Sequence, residues 1–181
     1  MTKGTPTTHH DLSGRASFEI AAHPRLKILI IDDEPANVAL LTDILLESGY
    51  SRVQSLSDSR RALEMCESFR PDLVLLDLMM PHVDGFTILE QLRETDEAFL
   101  PVIVLTADSN EQTKLRALRS GATDFLLKPL DQIEVLLRIA NVLELRRLHL
   151  ELAMHHAAME DALRERTREL REAQAALQGA I

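Results

Sequence analysis

The sequence predicts an α/β fold of the doubly wound class: a parallel five-stranded sheet with five helices covering its two faces. Three observations carry this. Short runs of branched apolar residues alternate with stretches of helical periodicity through the middle of the chain. Most runs are continuous in apolar residues rather than alternating with polar ones, the mark of strands covered on both sides. Strand–helix alternation in turn requires parallel strands joined by right-handed crossovers.

In chain order, the strand segments are LKILII (26–31), RVQSL (52–56), DLVLL (72–76), PVIVL (101–105) and DFLLK (124–128). Between them, Ala62, Leu63, Cys66 and Phe69 recur with helical spacing and predict one amphipathic helix. Phe86, Leu89 and Leu92 predict another, and Ile133, Leu136, Leu137 and Ala140 mark the apolar stripe of the last. Residues 1–24 are rich in Thr, Ser, Gly, Pro and His and lack sustained periodicity. They are expected to be a disordered or loosely attached arm, with His9 and His10 solvated rather than metal-binding. The globular domain is expected over 25–145, and there is no internal repeat.

The last helix does not stop at the edge of that domain. From Asp131 to Gln178 there is neither proline nor glycine. Such a run exceeds the usual helix length of roughly 8–20 residues and predicts a coiled-coil linker over 146–181. Leu145, Leu148, Leu152, His155 and Met159 follow one heptad seam; Leu163, Arg166, Leu170, Ala173 and Leu177 follow another. The four-residue step from Met159 to Leu163 is a stutter, which locally unwinds a left-handed supercoil. Glu160 with Arg164, and Arg168 with Glu172, form i,i+4 pairs on the flanks. A parallel homodimer through this helix is expected, with His155 as a polar specificity position on the seam.

Composition narrows the function. The chain has 181 residues, a formal net charge of −9, 45% hydrophobic and 27% charged residues. That is the balance of a soluble globular protein, and the acidic excess argues against nucleic acid or anionic membrane as partners. The lone cysteine, Cys66, reads as a small core residue and cannot form a disulfide within the chain. No apolar run approaches the roughly 18 residues of a membrane span, and the first residues lack the apolar core of a signal peptide. A cytoplasmic protein is expected.

The chemistry concentrates at predicted strand ends. Asp32 and Asp33 follow the first strand, Asp77 the third and Thr106 the fourth, while Lys128 closes the fifth. In open parallel sheets, ligands bind beyond the carboxyl ends of the strands, where the strand order reverses. With the order 2-1-3-4-5, adopted by analogy with flavodoxin-like sheets, that reversal falls between the first and third strands. Three carboxylates in one crevice resist joint ionisation, and a divalent cation relieves them; hard oxygen ligands favour Mg²⁺, with Mn²⁺ able to substitute. A carboxylate can attack phosphorus and form an aspartyl phosphate, with the metal and Lys128 stabilising charge and the Thr106 hydroxyl donating to a phosphoryl oxygen. Each residue alone has an ordinary structural explanation, such as a helix N-terminus for Asp32 and Asp33 ahead of Pro35. Their joint placement, in order, on four different strands does not.

These segments, ILIIDDEP (28–35), DLVLLDLMMPHVDGF (72–86), PVIVLTA (101–107) and GATDFLLKPL (121–130), resemble the receiver domain of two-component response regulators. The resemblance covers roughly residues 25–145. It implies that Asp77 is the phosphoacceptor and that Asp32 and Asp33 organise Mg²⁺, Asp33 more directly. It further implies that the Met79 backbone carbonyl is a metal ligand and that Thr106 and Lys128 sense the phosphoryl group. Phe125 would be the aromatic switch, and Lys128–Pro129 a cis bond. Ala107 and Pro129 would set local geometry, and the Met79 and Asp108 side chains would tune phosphoryl lifetime. Neither is an obvious base for positioning water, so slow to moderate self-dephosphorylation is expected. His82 reads as a plain loop residue. The implied partner is a sensor histidine kinase or a phosphotransfer protein.

The stretch RLHLELAMHHAAMEDALRERTRELREAQ (147–174) resembles linker helices that precede HD-GYP cyclic-di-GMP phosphodiesterase or diguanylate cyclase domains. No such domain lies in these residues, so no enzyme activity beyond self-dephosphorylation is expected, and an effector domain is a possible missing C-terminal part. The switching route would run from Asp77 through helix 4, strand 5 and helix 5 into the coil. A haloacid-dehalogenase-like hydrolase would need a second aspartate where Met79 stands. A DNA-binding regulator would need a helix-turn-helix after residue 145. A degenerate receiver serving only as a dimeric scaffold is the remaining alternative.

Overall fold

A computed structural model describes residues 25–94 and 99–179. Its elements run β1 (Lys27–Ile31), α1 (Pro35–Glu47), β2 (Arg52–Leu56), a 3-10 turn (Ser59–Arg61), α2 (Ala62–Phe69), β3 (Leu73–Asp77), α3 (Gly85–Glu94), β4 (Val102–Thr106), α4 (Glu111–Arg119), β5 (Asp124–Leu127) and α5 (Gln132–Gly179). The strands form one parallel sheet in the order β2-β1-β3-β4-β5, as expected.

The pleat sends alternate residues to opposite faces and builds two cores. Leu29, Ile31, Val74, Leu76, Val102 and Val104 pack with residues of α2, α3 and α4. Ile28, Ile30, Leu73, Leu75, Ile103 and Leu105 pack with residues of α1 and α5. Each such side chain contributes about 1.5–3 kcal/mol on burial, which explains why the three central strands hold the sheet's register. β2 departs from the two-sided expectation. It is an edge strand whose Arg52, Gln54 and Ser55 are exposed, and only Leu56 is buried.

Strand ends shift by one residue from the sequence reading, with a consequence for the site. β3 ends on Asp77 and β4 on Thr106, so both belong to the sheet itself, while Lys128 follows β5 rather than closing it.

The stripe predicted for α5 needs correcting. The buried residues are Val135, Ile139, Val142 and Leu143, whereas Ile133 is 69% and Leu137 40% exposed. The short connection from Leu127 fixes the rotation of the helix as it returns to the sheet. That rotation seats Val135, Ile139, Val142 and Leu143 fully and leaves Leu136, packed against the same core, and Ala140 partly buried at its margin, with Ile133 and Leu137 in solvent.

Packing on α5 also continues past the expected boundary at 145. The Arg146 guanidinium donates to the Phe99 carbonyl, and the His149 ring lies 5.1 Å from that of Phe99. Leu143, Leu150 and Met154 line a groove with Leu26 and Asp72, at the amino edge of the sheet. Leu145, Leu148 and Leu152 are exposed alongside it, and the helix then runs on unbroken with Met159, Leu163 and Leu170 exposed. The flanking Glu160–Arg164 and Arg168–Glu172 pairs are present at 3.6 and 3.8 Å, and such exposed pairs add little stability. The expected arm over 1–24 and the side chain of Leu177 lie outside the described residues. Among the described residues no helix is long and apolar enough to cross a membrane.

Candidate functional site

β1 and β3 are neighbours, so their carboxyl ends deliver Asp32, Asp33 and Asp77 to one crevice at the reversal of strand order. One carboxylate oxygen from each of the three lies within 4.8 Å of the others. Asp32 and Asp77 are buried, while Asp33 is more open to solvent. The Lys128 ammonium enters from the far side of β4 and bridges two of them, 3.0 Å from Asp32 Oδ2 and 2.9 Å from Asp77 Oδ1.

Asp32 is the most constrained of the three. Its Oδ1 accepts the Glu34 N–H at 2.9 Å, and the Asn37 amide donates to both oxygens at 3.2 and 3.0 Å. With Lys128 on Oδ2, the carboxylate is oriented from all sides. Asp77 has Lys128 on Oδ1 and accepts the Met79 N–H on Oδ2 at 3.2 Å. Burial pushes the Asp77 carboxyl above its ordinary range, the Lys128 hydrogen bond and charge pull it back, and the charge of Asp32 adds to the rise. Burial works against the Lys128 ammonium, but its hydrogen bonds to Asp77 and Asp32 outweigh this and hold its pKa above that of a free lysine.

The loop from Asp77 to α3 is pinned along its length. Met80 is buried in the core, whereas the Met79 side chain is 76% exposed. The Gly85 N–H donates to the Leu78 carbonyl at 3.1 Å. A Cβ on Gly85 would lie 2.4 Å from the Asp77 carbonyl oxygen and 2.8 Å from Leu78 Cα, so only glycine fits this return of the chain. Asp84 caps α3 by accepting the Thr87 N–H at 2.8 Å. His82 has φ 73°, and a side-chain-bearing residue in that region costs of order 1–3 kcal/mol.

On the other flank, Thr106 is buried at the end of β4, and its Oγ1 accepts the Asp108 N–H at 3.0 Å. The Asp108 carboxylate accepts from the Asn110 N–H and the Thr113 hydroxyl, at 2.8 and 2.6 Å, which hold its pKa below the usual range. Ala107 and Pro129 are exposed, and the Lys128–Pro129 peptide is cis. Phe125 is half-buried, with the Lys114 ammonium 5.1 Å from its ring centroid.

The arrangement joins hard oxygen donors, two of them on buried carboxylates, and a fixed ammonium at one sheet edge. Three clustered carboxylates with one ammonium leave a charge deficit that a divalent cation fits. Asp32 is already saturated with donors, which leaves Asp33 and Asp77 as the better placed direct ligands. Sequence reasoning missed Asn37. Asn37 lies in the first turn of α1, five residues after Asp32, a spacing that lets an amide reach back to a carboxylate.

Residues 28–140 match the family model of the response regulator receiver domain. The chain belongs to this family, whose members act in two-component signalling. It is 42% identical over 118 residues to the DNA-binding dual master transcriptional regulator RpaA of Synechocystis, covering 65% of this chain and 48% of RpaA. The chain thus spans about half the length of that relative. Among solved structures it is similar to the CheX–CheY–BeF3–Mg²⁺ complex from Borrelia burgdorferi, with TM-score 0.60 and 33% identity over 65% of this chain and 88% of the other. A two-component response regulator/GGDEF domain protein matches with TM-score 0.65 and 27% identity, over 71% of this chain and 53% of that one.

Proposed function

We propose that this receiver accepts a phosphoryl group on Asp77 from a sensor histidine kinase or a phosphotransfer protein, in a Mg²⁺-dependent reaction. One observation carries the proposal: Asp77 ends β3 between the Lys128 ammonium and the Asp32–Asp33 pair. Asp33, Asp77 and the Met79 carbonyl would hold the cation, with Asp32 fixed behind them. Bound there, it would offset the charge of the three carboxylates and of the incoming phosphoryl oxygens. The Mg²⁺ and BeF3 of the Borrelia complex agree with this chemistry.

In the transfer, an Asp77 carboxylate oxygen attacks phosphorus. The new O–P bond forms as the donor's N–P bond breaks, and the electron pair returns to the imidazole, which takes up a proton. Lys128 supplies a fixed positive charge beside the developing oxygens, and Thr106 turns its hydroxyl to a phosphoryl oxygen. Phe125 follows Thr106 as the switch residue, and the change spreads through α4, β5 and α5. The Asp108 carboxylate is engaged by its own loop and Met79 is apolar, so neither activates water. Self-dephosphorylation is therefore slow to moderate, and a half-life of seconds would overturn this.

The test is exposure to acetyl phosphate with Mg²⁺, read by intact mass. The wild type gains one phosphoryl group and Asp77→Asn gains none. An unmodified wild type would leave only the dimeric-scaffold reading. For output, the likeness to a GGDEF-containing regulator favours a receiver-plus-linker (25–145 and 146–181) that drives a cyclic-di-GMP turnover domain through a cytoplasmic homodimer.

A further inference from the structure

The crossover after β2 places a buried hydroxyl against the loop that leaves Asp77. Ser59 is 3% exposed. Its Oγ donates to the Pro81 carbonyl at 2.7 Å and accepts the Val83 N–H at 3.1 Å. The same N–H reaches the Pro81 carbonyl at 3.0 Å, closing a three-residue turn around His82. At φ 73°, His82 holds the backbone that such a turn demands and that a residue with a Cβ seldom adopts.

A strained turn persists only where its surroundings over-determine it. Here Met80 and Val83 pack against the core on either side of the turn, and the Ser59 hydroxyl, from a different crossover, hydrogen-bonds both of its ends. Ser59 satisfies both ends of the turn with one hydroxyl, using its donor and one acceptor site. Without it, the Pro81 carbonyl and the Val83 N–H keep only their mutual hydrogen bond, and His82 is held less firmly at positive φ. The segment between Met79 and Asp84 would then shift. Met79 is where that shift matters, because its N–H donates to Asp77 Oδ2 at 3.2 Å.

We propose that Ser59 is a positioning residue for the acidic site: by clasping the His82 turn, it holds the Met79 backbone in place beside Asp77. The inference rests on the reading of Asp33, Asp77 and Met79 as the cation site. Ser59 itself touches neither cation nor phosphoryl group. Its effect is therefore on cation affinity rather than on the transfer once the site is filled.

The test is a Mg²⁺ titration of the full chain, followed through the backbone amide shifts of residues 77–83, with thermal melts in parallel. Ser59→Ala removes the hydroxyl without adding bulk and should raise the Mg²⁺ Kd about tenfold, the size of effect seen when supporting hydrogen bonds around a metal are lost. At saturating Mg²⁺ its rate of phosphorylation by acetyl phosphate should stay near wild type, and Ser59→Thr, which keeps the hydroxyl, should restore the Kd. A Ser59→Ala protein with lower Tm but unchanged Kd would show a mere fold brace and overturn the proposal, as would a Ser59→Thr protein as impaired as Ser59→Ala. A wild type that gives no Mg²⁺ response overturns the cation-site reading, and this proposal with it.

Discussion

Lys128 and Asp77 lie 51 residues apart in the chain, yet their side chains meet at 2.9 Å, the carboxylate buried and the ammonium partly open to solvent. Breaking one partner of such a pair leaves a buried charge, which costs about 3–5 kcal/mol. Lys128→Met should lose about 3 kcal/mol in urea denaturation, the low end of that range, because the Lys128 side chain is itself partly exposed. Adding Asp77→Asn to that variant should recover part of the loss. Equal losses in the single and double variants would show that the pair is not coupled.

Cation binding should appear as stability. A ligand that binds only the native state contributes about 2.7 kcal/mol at a hundred times its Kd. Mg²⁺ should therefore raise Tm, and chelation should reverse the rise. Asp33 is the most open of the three acids and has room for a direct ligand bond. Asp33→Asn should remove most of the Mg²⁺-induced shift while changing the metal-free Tm little. A full shift in Asp33→Asn would move the cation away from this residue.

Gly85 admits no side chain. Its missing Cβ would strike the Asp77 carbonyl oxygen and Leu78 Cα, both of them backbone atoms that cannot swing aside. Gly85→Ala should cost about 3 kcal/mol by overpacking and slow phosphorylation at Asp77, since the clash falls on the acceptor itself. Circular dichroism melts and intact mass would read the two effects. A Gly85→Ala protein with wild-type stability and rate would mean that the loop yields easily.

Much of this was legible in the sequence, for a definite reason. The central strands are buried on both faces, so their apolar runs are unbroken, and the functional residues fall at their ends. The last helix was harder. Ile133, Leu136, Leu137 and Ala140 have helical spacing as good as that of Val135, Ile139, Val142 and Leu143, and only the approach of the helix to the sheet decides between them. Asn37, Ser59 and the Gly85 contact are long-range matters of a few ångströms. Asn37 leaves a faint trace in its spacing from Asp32. Ser59 leaves none, because its partners are backbone atoms more than twenty residues away.

Cys66 gives a pH signature. Burial, helped by the charge of Glu67, pushes its thiol up to about 11 from an ordinary 9.0. The native state thus keeps a proton that the unfolded chain releases first. The corresponding stability is complete below the unfolded value and is lost as pH rises from about 9 to about 11. Denaturation midpoints should fall across that window, and Cys66→Ala should flatten part of the fall. Alkylation of the native thiol at pH 8 should be slow and should quicken in urea.

The long helix offers a final test. Leu143, Leu150 and Met154 line the groove at the amino edge of the sheet, Met154 at its open end, while Leu145, Leu148 and Leu152 are exposed. At 3.6 residues per turn these two sets lie on nearly opposite sides of α5. A partner helix can therefore lie along Leu145, Leu148 and Leu152 away from the groove, while His155 borders both. Exposed leucines at heptad spacing are costly in water and stabilising against a second copy, so a dimer is expected. Leu152→Asp with Leu163→Asp would place charges in the seam on both sides of the stutter. Sedimentation equilibrium should then show a monomer, with Tm of the domain nearly unchanged because neither residue touches it. If the unaltered chain sediments as a monomer at tens of micromolar, the helix is a single charged helix held by its own ion pairs.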